Sequence, residues 1–419
     1  MTLFTALLRD KGLCTLFLAF SIIFCANAQW SIDKPEQLKG AINFSQSLKQ
    51  SALIDRSNFI NNSRLSRVSI SPTSDFLSYM IKEGREQQKL ASLWLFDIKL
   101  NEHKKLFSFK DIQRTYWSKN GEHLFLKLSY GVAVSNIKST SNTPRRLVSL
   151  RAKKKERFLG IDYSKSSSFL VKLWNDKNKH FDIVSIDAAG NRKMLYSTAK
   201  QFISAETHLE TGELALITKL NQEDNNKGEI LFFDVFQEQE RLVWQCQWDD
   251  ECSVINYDQD NQTLTLVSNI NSNYLRPVQI DLNTKQITEL HADPKRFGDI
   301  AYLQSTLHDY RFSPALASYH GNFVANYALD KANADHLSVL KAKLDTDQFS
   351  IEIPLFDKPD STWLIADLNN RLSVPTYYLF NKKNQHLKPV LTDIQQRADK
   401  NVSLLSANDI APKFAFSYL

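Results

Sequence analysis

Ser164-Lys165-Ser166-Ser167 is a polar turn; an apolar strand follows it, a second strand ends in Ile183-Val184-Ser185-Ile186-Asp187, and a short third runs from Arg192 to Tyr196. Working outward from this stretch, the same cycle returns along the chain. Turns in register read Ser71-Pro72-Thr73-Ser74-Asp75, Ser118-Lys119-Asn120-Gly121, Leu209-Glu210-Thr211-Gly212 and Asp258-Gln259-Asp260-Asn261. Strand ends in register read Leu93-Trp94-Leu95-Phe96-Asp97, Ile230-Leu231-Phe232-Phe233-Asp234 and Pro277-Val278-Gln279-Ile280-Asp281, with weaker copies ending at Asn136 and Asn381. A repeat of roughly 40 to 50 residues made only of strands is the signature of a β-propeller, in which each blade is a four-stranded sheet. A single blade cannot bury both faces, so it must stack between neighbours in a ring.

The gap between Asp281 and Asn381 holds two repeats, and Ser338-Val339-Leu340-Lys341-Ala342 fits the missing copy. The expectation is therefore an all-β propeller of seven four-stranded blades, with outer strands ending near Lys105, Arg146, Leu195, Val243, Glu289, Ile353 and Val390. The sixth repeat, around His320-Gly321-Asn322, is the least regular. Helix is expected only from Pro35 to about Ser51. Ring closure should bring the segment after Ser63 beside the last blade, because closure removes exposed sheet edges.

The chain of 419 residues, 42% hydrophobic with a net charge of +6, has the composition of a globular protein. Arg9 and Lys11, the apolar run Leu13 to Phe24 and Ala26-Asn27-Ala28 read as a cleaved secretory signal over 1–28. A lead-in segment would occupy 29–63, the propeller 64–395 and a tail 396–419. Export to the periplasm or beyond is expected, with no membrane span left after cleavage. Cleavage would lower the charge to +5 and leave only Cys246 and Cys252. In an oxidising compartment these two pair across the loop between two blades; free thiols and half of a metal site are the alternatives.

No Gly-x-Ser-x-Gly elbow, phosphate-cradling glycine loop or paired-histidine metal motif occurs. The sequence thus nominates no catalytic residue, metal ligand or cofactor site. The run Arg145-Arg146 to Arg157 reads as a solvated loop between the second and third blades, and without interleaved aromatics it does not suggest nucleic acid. Trp94, Trp117, Trp174 and Trp363 fall on strands and read as blade-to-blade packing.

Several stretches resemble the N-terminal propeller of the prolyl oligopeptidase family of serine peptidases, in its exported dipeptidyl- and acylaminoacyl-peptidase-like branch. They are Leu53 to Phe59 with Ile70-Ser71-Pro72, Tyr116 to Gly121, Trp363 to Ala366 with Tyr377 to Phe380, and the tail from Ala411. The resemblance implies a domain that filters or orients peptides, with the Ser, Asp and His of the triad in a following α/β-hydrolase domain. No triad residue carries over to this chain. Paired glutamates that hold a substrate amino terminus in some members find no match in Glu206 and Glu210, which fall in a turn region without the local pattern. The function implied is a propeller, non-catalytic by itself, that binds peptide or protein. The alternatives are an envelope scaffold of the Tol type or half of a split or truncated peptidase.

Overall fold

A computed structural model describes residues 39–40, 43, 65–83, 90–138, 143–221, 229–237, 239–294, 298–320, 324–344, 346, 348–368 and 375–391. The expected signal segment, most of the N-terminal helix and the tail lie outside them; the few residues placed there, such as Lys39 and Gly40, are helical.

Seven antiparallel sheets follow one another along the chain. Blade 1 is β1 (Leu65–Ile70), β2 (Phe76–Glu83), β3 (Leu90–Asp97) and β4 (Glu102–Lys110). Blade 2 is β5 (Ile112–Trp117), β6 (His123–Leu128), β7 (Gly131–Asn136) and β8 (Arg145–Ser149). Blade 3 is β9 (Arg157–Ile161), β10 (Ser168–Asn175), β11 (His180–Asp187) and β12 (Arg192–Thr198). Blade 4 is β13 (Ser204–Thr207), β14 (Leu214–Asn221), β15 (Glu229–Phe236) and β16 (Gln239–Cys246). Blade 5 is β17 (Cys252–Asp258), β18 (Thr263–Ser268), β19 (Arg276–Asp281) and β20 (Ile287–Glu289). Blade 6 has only β21 (Ile300–His308), β22 (Arg311–Tyr319) and β23 (Ala325–Ala328), and blade 7 is β24 (Phe349–Glu352), β25 (Thr362–Asp367), β26 (Thr376–Asn381) and β27 (His386–Leu391). The fold is a seven-bladed β-propeller.

The repeat seen in the sequence has a hydrogen-bonding cause. At the turn from first to second strand, a polar side chain caps the loop. Ser71 Oγ accepts from the Asp75 and Phe76 N–H groups, Ser118 Oγ from His123 N–H, Asp162 Oδ1 from Ser164 N–H and Asp258 Oδ1 from Asn261 N–H. In blades 1, 2, 3, 5 and 7 the acid or amide ending the third strand does the same for the next turn, whereas in blade 4 the strand runs on past Asp234 to Phe236. Asp97, Asn136, Asp187, Asp281 and Asn381 each accept from a backbone N–H two to four residues on. Such Asx turns satisfy backbone donors that the sheet leaves over. The cap of blade 3 is Asp162 and that of blade 4 is His208, so those turns begin earlier than Ser164 and Leu209 suggested.

Blade 6 corrects the sequence expectation. Ser338 to Ala342 is not a strand but lies within α1 (Lys331–Leu344). Five residues are too few to separate a period of two from one of 3.6. Over the longer stretch Leu337, Leu340 and Leu344 share one helical face, and Asp330 caps the start by accepting from Asn333 N–H at 2.8 Å. Asp330 follows the third strand of its blade, where the other blades turn into a fourth strand. Leu337 and Leu340 pack with Leu316, Phe349 and Trp363, so the helix fills the space between blades 6 and 7 that an outer strand would have covered. Ile353 therefore ends no outer strand; it follows β24. The outer strands at Lys105, Arg146, Leu195 and Val243 also run on past those positions.

The four tryptophans pack between blades. Trp117 sits with Met80 and Leu93 of blade 1, Trp174 with Phe202 and Leu214 of blade 4, Trp363 with Leu316 of blade 6, and Trp94 with Leu364 and Leu379 of blade 7.

Each blade is built from one continuous stretch, so among the described residues no strand is shared where the ring closes. Closure rests on Leu65, Ile70, Leu77 and Phe96 packing on Leu364, Leu379 and Leu391. Polar ties add to it. Glu352 Oε1 accepts from Ser69 Oγ at 2.7 Å and from Ile70 N–H, Pro72 O accepts from Phe356 N–H, and Lys388 Nζ donates to Asn101.

Candidate functional site: the inner strands and their channel

The first strand of each blade lines the axis of the ring, and its outer neighbours bury the rest. Inner-strand residues are mostly half-buried while the second strands are mostly buried, as expected where one edge faces a channel. Long side chains on these strands tie each blade to the next through backbone groups. Arg67 Nη1 donates to Ile112 O at 2.7 Å, Gln304 Nε2 to Ile351 O, and Gln304 Oε1 accepts from Ile353 N–H. Glu352 completes the set across the closing seam.

Blade 6 sends a hairpin across this channel. Asp309 and Tyr310 form its tip, both with positive φ (47° and 59°), the combination that a tight hairpin of matching twist needs. Tyr310 receives Lys119 Nζ of blade 2 at 5.5 Å from its ring centre, and Phe312 meets Tyr163 of blade 3 edge-on at 5.5 Å. Blades 2 and 3 are not neighbours of blade 6 in the ring. The hairpin therefore spans the face on which the first-to-second-strand turns lie.

Beneath it Glu206 of β13 stands near Tyr163, and burial pushes its carboxyl up to about 7. Glu352 is likewise pushed to about 7 by burial, against the hydrogen bonds from Ser69 and Ile70 and the positive charge of Arg114. Glu206 belongs to the inner strand rather than to a turn, whereas Glu210 is exposed in the turn beyond it. The two glutamates do not form a pair.

The basic run Arg145 to Arg157 is taken apart by the fold. Arg145 binds the carbonyls of Ala188 and Ala189. Arg151 is paired with Glu156 and Asp176, and Lys154 with Asp176. Arg157 alone of the run enters an inner strand, where Nη2 reaches Phe202 O at 3.5 Å. Beside it Lys172 is buried with its Nζ on the same carbonyl and over the rings of Phe181 and Phe202, and burial lowers it to about 8.

Ser167 and His123 are the pair most like a nucleophile and its base, with Oγ 2.9 Å from Nδ1. The amide of Asn136 faces the other ring nitrogen at 3.4 Å, and its orientation is fixed because its oxygen accepts from Lys138 N–H. The amide nitrogen is then a donor, so Nε2 accepts and Nδ1 carries the proton. His123 donates to Ser167 instead of removing its proton, the opposite of what serine activation requires. His320 is exposed at the end of β22; Gly321 and Asn322 lie outside the described residues. Among the described residues no three potential metal ligands converge, and no helix is long and apolar enough to cross a membrane.

Cys246, at the end of β16, and Cys252, at the start of β17, form a disulfide with Cα atoms 6.6 Å apart. It pins the loop between blades 4 and 5, which Asp250 and Asn269 brace through the N–H groups of Gln247 and Glu251.

Solved structures share this arrangement. A puromycin-hydrolysing peptidase of Mycobacterium tuberculosis matches at 12% identity over 82% of this chain and 56% of its own, with a TM-score of 0.52. The acylaminoacyl peptidase of Pyrococcus horikoshii matches at 10% identity over 83% and 55%, at 0.53, and prolyl oligopeptidase B of Galerina marginata at 13% over 79% and 50%, at 0.52. The likeness is one of fold. The chain spans about half the length of these peptidases. No protein-family model matches the sequence, and no curated protein matches it.

Proposed function

We propose that this propeller is an exported binding module for peptide or protein segments, without catalytic activity of its own. The observation that carries the reading is the hairpin across the channel. It leaves inner-strand edges and channel-wall side chains as a surface on which an extended segment can lodge, while blocking passage through that face. Extended peptides are bound through such main-chain groups, with side-chain contacts supplying selectivity. The likeness to peptidase propellers and the donor role of His123 toward Ser167 support the same reading. The disulfide supports export, since such bonds persist in oxidising compartments.

The test is direct. The purified chain is titrated into a fluorescein-labelled hexapeptide library, and in parallel treated with a fluorophosphonate probe. Saturable peptide binding without labelling is expected. Stoichiometric labelling of one serine, lost on its change to alanine, would make the chain an enzyme.

A further inference from the structure

Register comparison of the inner strands shows a pattern that neither acids nor histidines form. In blade 2 Arg114 is paired with Lys127, the fifth residue of the second strand; in blade 3 Arg157 is paired with Lys172, again the fifth. In blade 1 Arg67 lies in a bulge beside Ser66, which is paired with Met80, also the fifth. At that level blades 4, 5 and 7 carry Ser204, Ser253 and Ser350, opposite Thr218, Val267 and Ala366. Two consecutive blades thus carry arginine at this level, blade 1 has Arg67 next to it in the bulge, and three of the other four carry serine.

Arg67 has its charged form disfavoured by burial and by the nearby Arg114. Arg67 adopts φ 55°, a left-handed conformation that a non-glycine residue holds only where the surroundings enforce it, and bulges re-aim side chains at functional rims. None of the three forms a salt bridge among the described residues, although nine other ion pairs are present there. Their hydrogen bonds go to the Ile112 and Phe202 carbonyls and, from Arg67 Nη1, to Met80 Sδ at 3.9 Å, which leaves most guanidinium donors unused, and Arg114 lies 5.2 Å from the centre of the Tyr116 ring. The acids Glu206 and Glu352 lie two residues farther along their strands than Ser204 and Ser350; Glu352 is held by Ser69 and Ile70 and also feels the charge of Arg114, without forming a salt bridge to it. An arc of guanidiniums without salt bridges, on the same strand level as short hydroxyl side chains, has the chemistry of an anion receptor, since the guanidinium fork matches a carboxylate in two parallel hydrogen bonds.

We infer that Arg67, Arg114 and Arg157 form a carboxylate-binding site in the channel, which takes the C-terminal carboxylate or an acidic side chain of a peptide. The inference deepens the proposed peptide binding and rests on it for the source of the carboxylate, though not for the site itself.

Two measurements on the full chain separate the two claims. Melting temperature is followed against glutarate, a free dicarboxylate, at constant ionic strength. Anisotropy is measured with labelled hexapeptides in three forms: free C-terminus, C-terminal amide, and amide carrying one internal Glu. Glutarate should stabilise the wild type and not Arg114→Gln, while Arg114→Lys, which keeps the charge but not the fork, retains a fraction of the effect. The free-acid peptides should bind about tenfold more tightly than their amides, as expected for one charged hydrogen-bonded contact, and Arg114→Gln should erase that ratio. Recovery of affinity in the amidated Glu peptide assigns the site to acidic side chains; its absence assigns it to the C-terminus. A glutarate effect without peptide binding keeps the site and discards the peptide reading. Peptide binding indifferent to carboxylates, or a glutarate effect unchanged in Arg114→Gln, overturns the site.

Discussion

The seam between blades 4 and 5 and the seam between blades 7 and 1 hold by different means. At the first the chain runs straight across, the Cys246–Cys252 bridge pins the crossing, and thirteen buried residues including Leu264, Leu266 and Phe232 form the core. At the second no strand crosses among the described residues. A smaller buried core around Leu77 and Phe96 is supplemented by the carboxyl of Glu352 and a few single hydrogen bonds. Closing a ring without exchanging a strand leaves its last joint dependent on side-chain packing and a few hydrogen bonds rather than on a sheet ladder, and the polar group placed there is one whose charge the fold disfavours.

The comparison can be broken most severely by matched truncations. Leu77→Ala and Leu264→Ala, both fully buried, should each cost about 2–5 kcal/mol in chemical denaturation. Hydrogen exchange should tell them apart. Leu77→Ala should release β1 and β27 before the rest of the ring, and Leu264→Ala should not; equal release at both seams would remove the distinction. Next in size is the bridge. Its loss in Cys246→Ser with Cys252→Ser should cost at most about 2–3 kcal/mol by the chain-entropy model, because the closed loop is short. Thiol titration of unfolded, unreduced protein exported to the periplasm should find no free thiols; two would refute the pairing there.

A third effect is set by pH. Glu352 has a folded value of about 7 against an ordinary 4.5. The folded state then binds more protons than the unfolded state between those values. Its contribution is fully present below about pH 4.5 and is lost as pH rises toward 7, on the order of 1–2 kcal/mol across the window. Glu352→Gln should flatten this dependence and the pH response of exchange in β1. Glu206→Gln, with a similar shift but no place at the seam, should flatten the first without the second. The smallest change is expected for Asn101→Gly. It keeps the left-handed turn at φ 57° and removes only the exposed contact with Lys388, so unfolding midpoints should move by about 0.5 kcal/mol or less.

What the sequence disclosed follows the same division between local and non-local causes. The blade repeat was legible because Ser71, Ser118, Asp97, Asp187 and Asp281 each cap a turn within a few residues of themselves, and local hydrogen bonding leaves a local signature. The helix at Lys331–Leu344 was missed because only a five-residue window of it was read, and in that window strand and helix patterns coincide. The disulfide was legible from the spacing of Cys246 and Cys252 together with the export that the leader sequence suggests. The arginine arc was not, although all three residues stand in plain view. Their equivalence appears only once strand registers are aligned, and bulges shift the spacing from Arg157 to its turn relative to Arg114 by one residue. The density of the charge run points to its middle, where the fold satisfies Arg145, Arg151 and Lys154 elsewhere, and away from its last member.

The blade 6 hairpin has a mechanical consequence. A hoop fastened only around its circumference can distort into an oval with little change at any one joint, and the unshared joint is where such distortion would gather. A spoke alters this. Tyr310 against Lys119 and Phe312 against Tyr163 fix the distance between one side of the hoop and the other, so that flattening along that diameter must first break both of these contacts. Blades 2 and 3, which carry Arg114 and Arg157, are thereby held at a set distance from blade 6, while blade 1 with Arg67 borders the joint that no spoke braces.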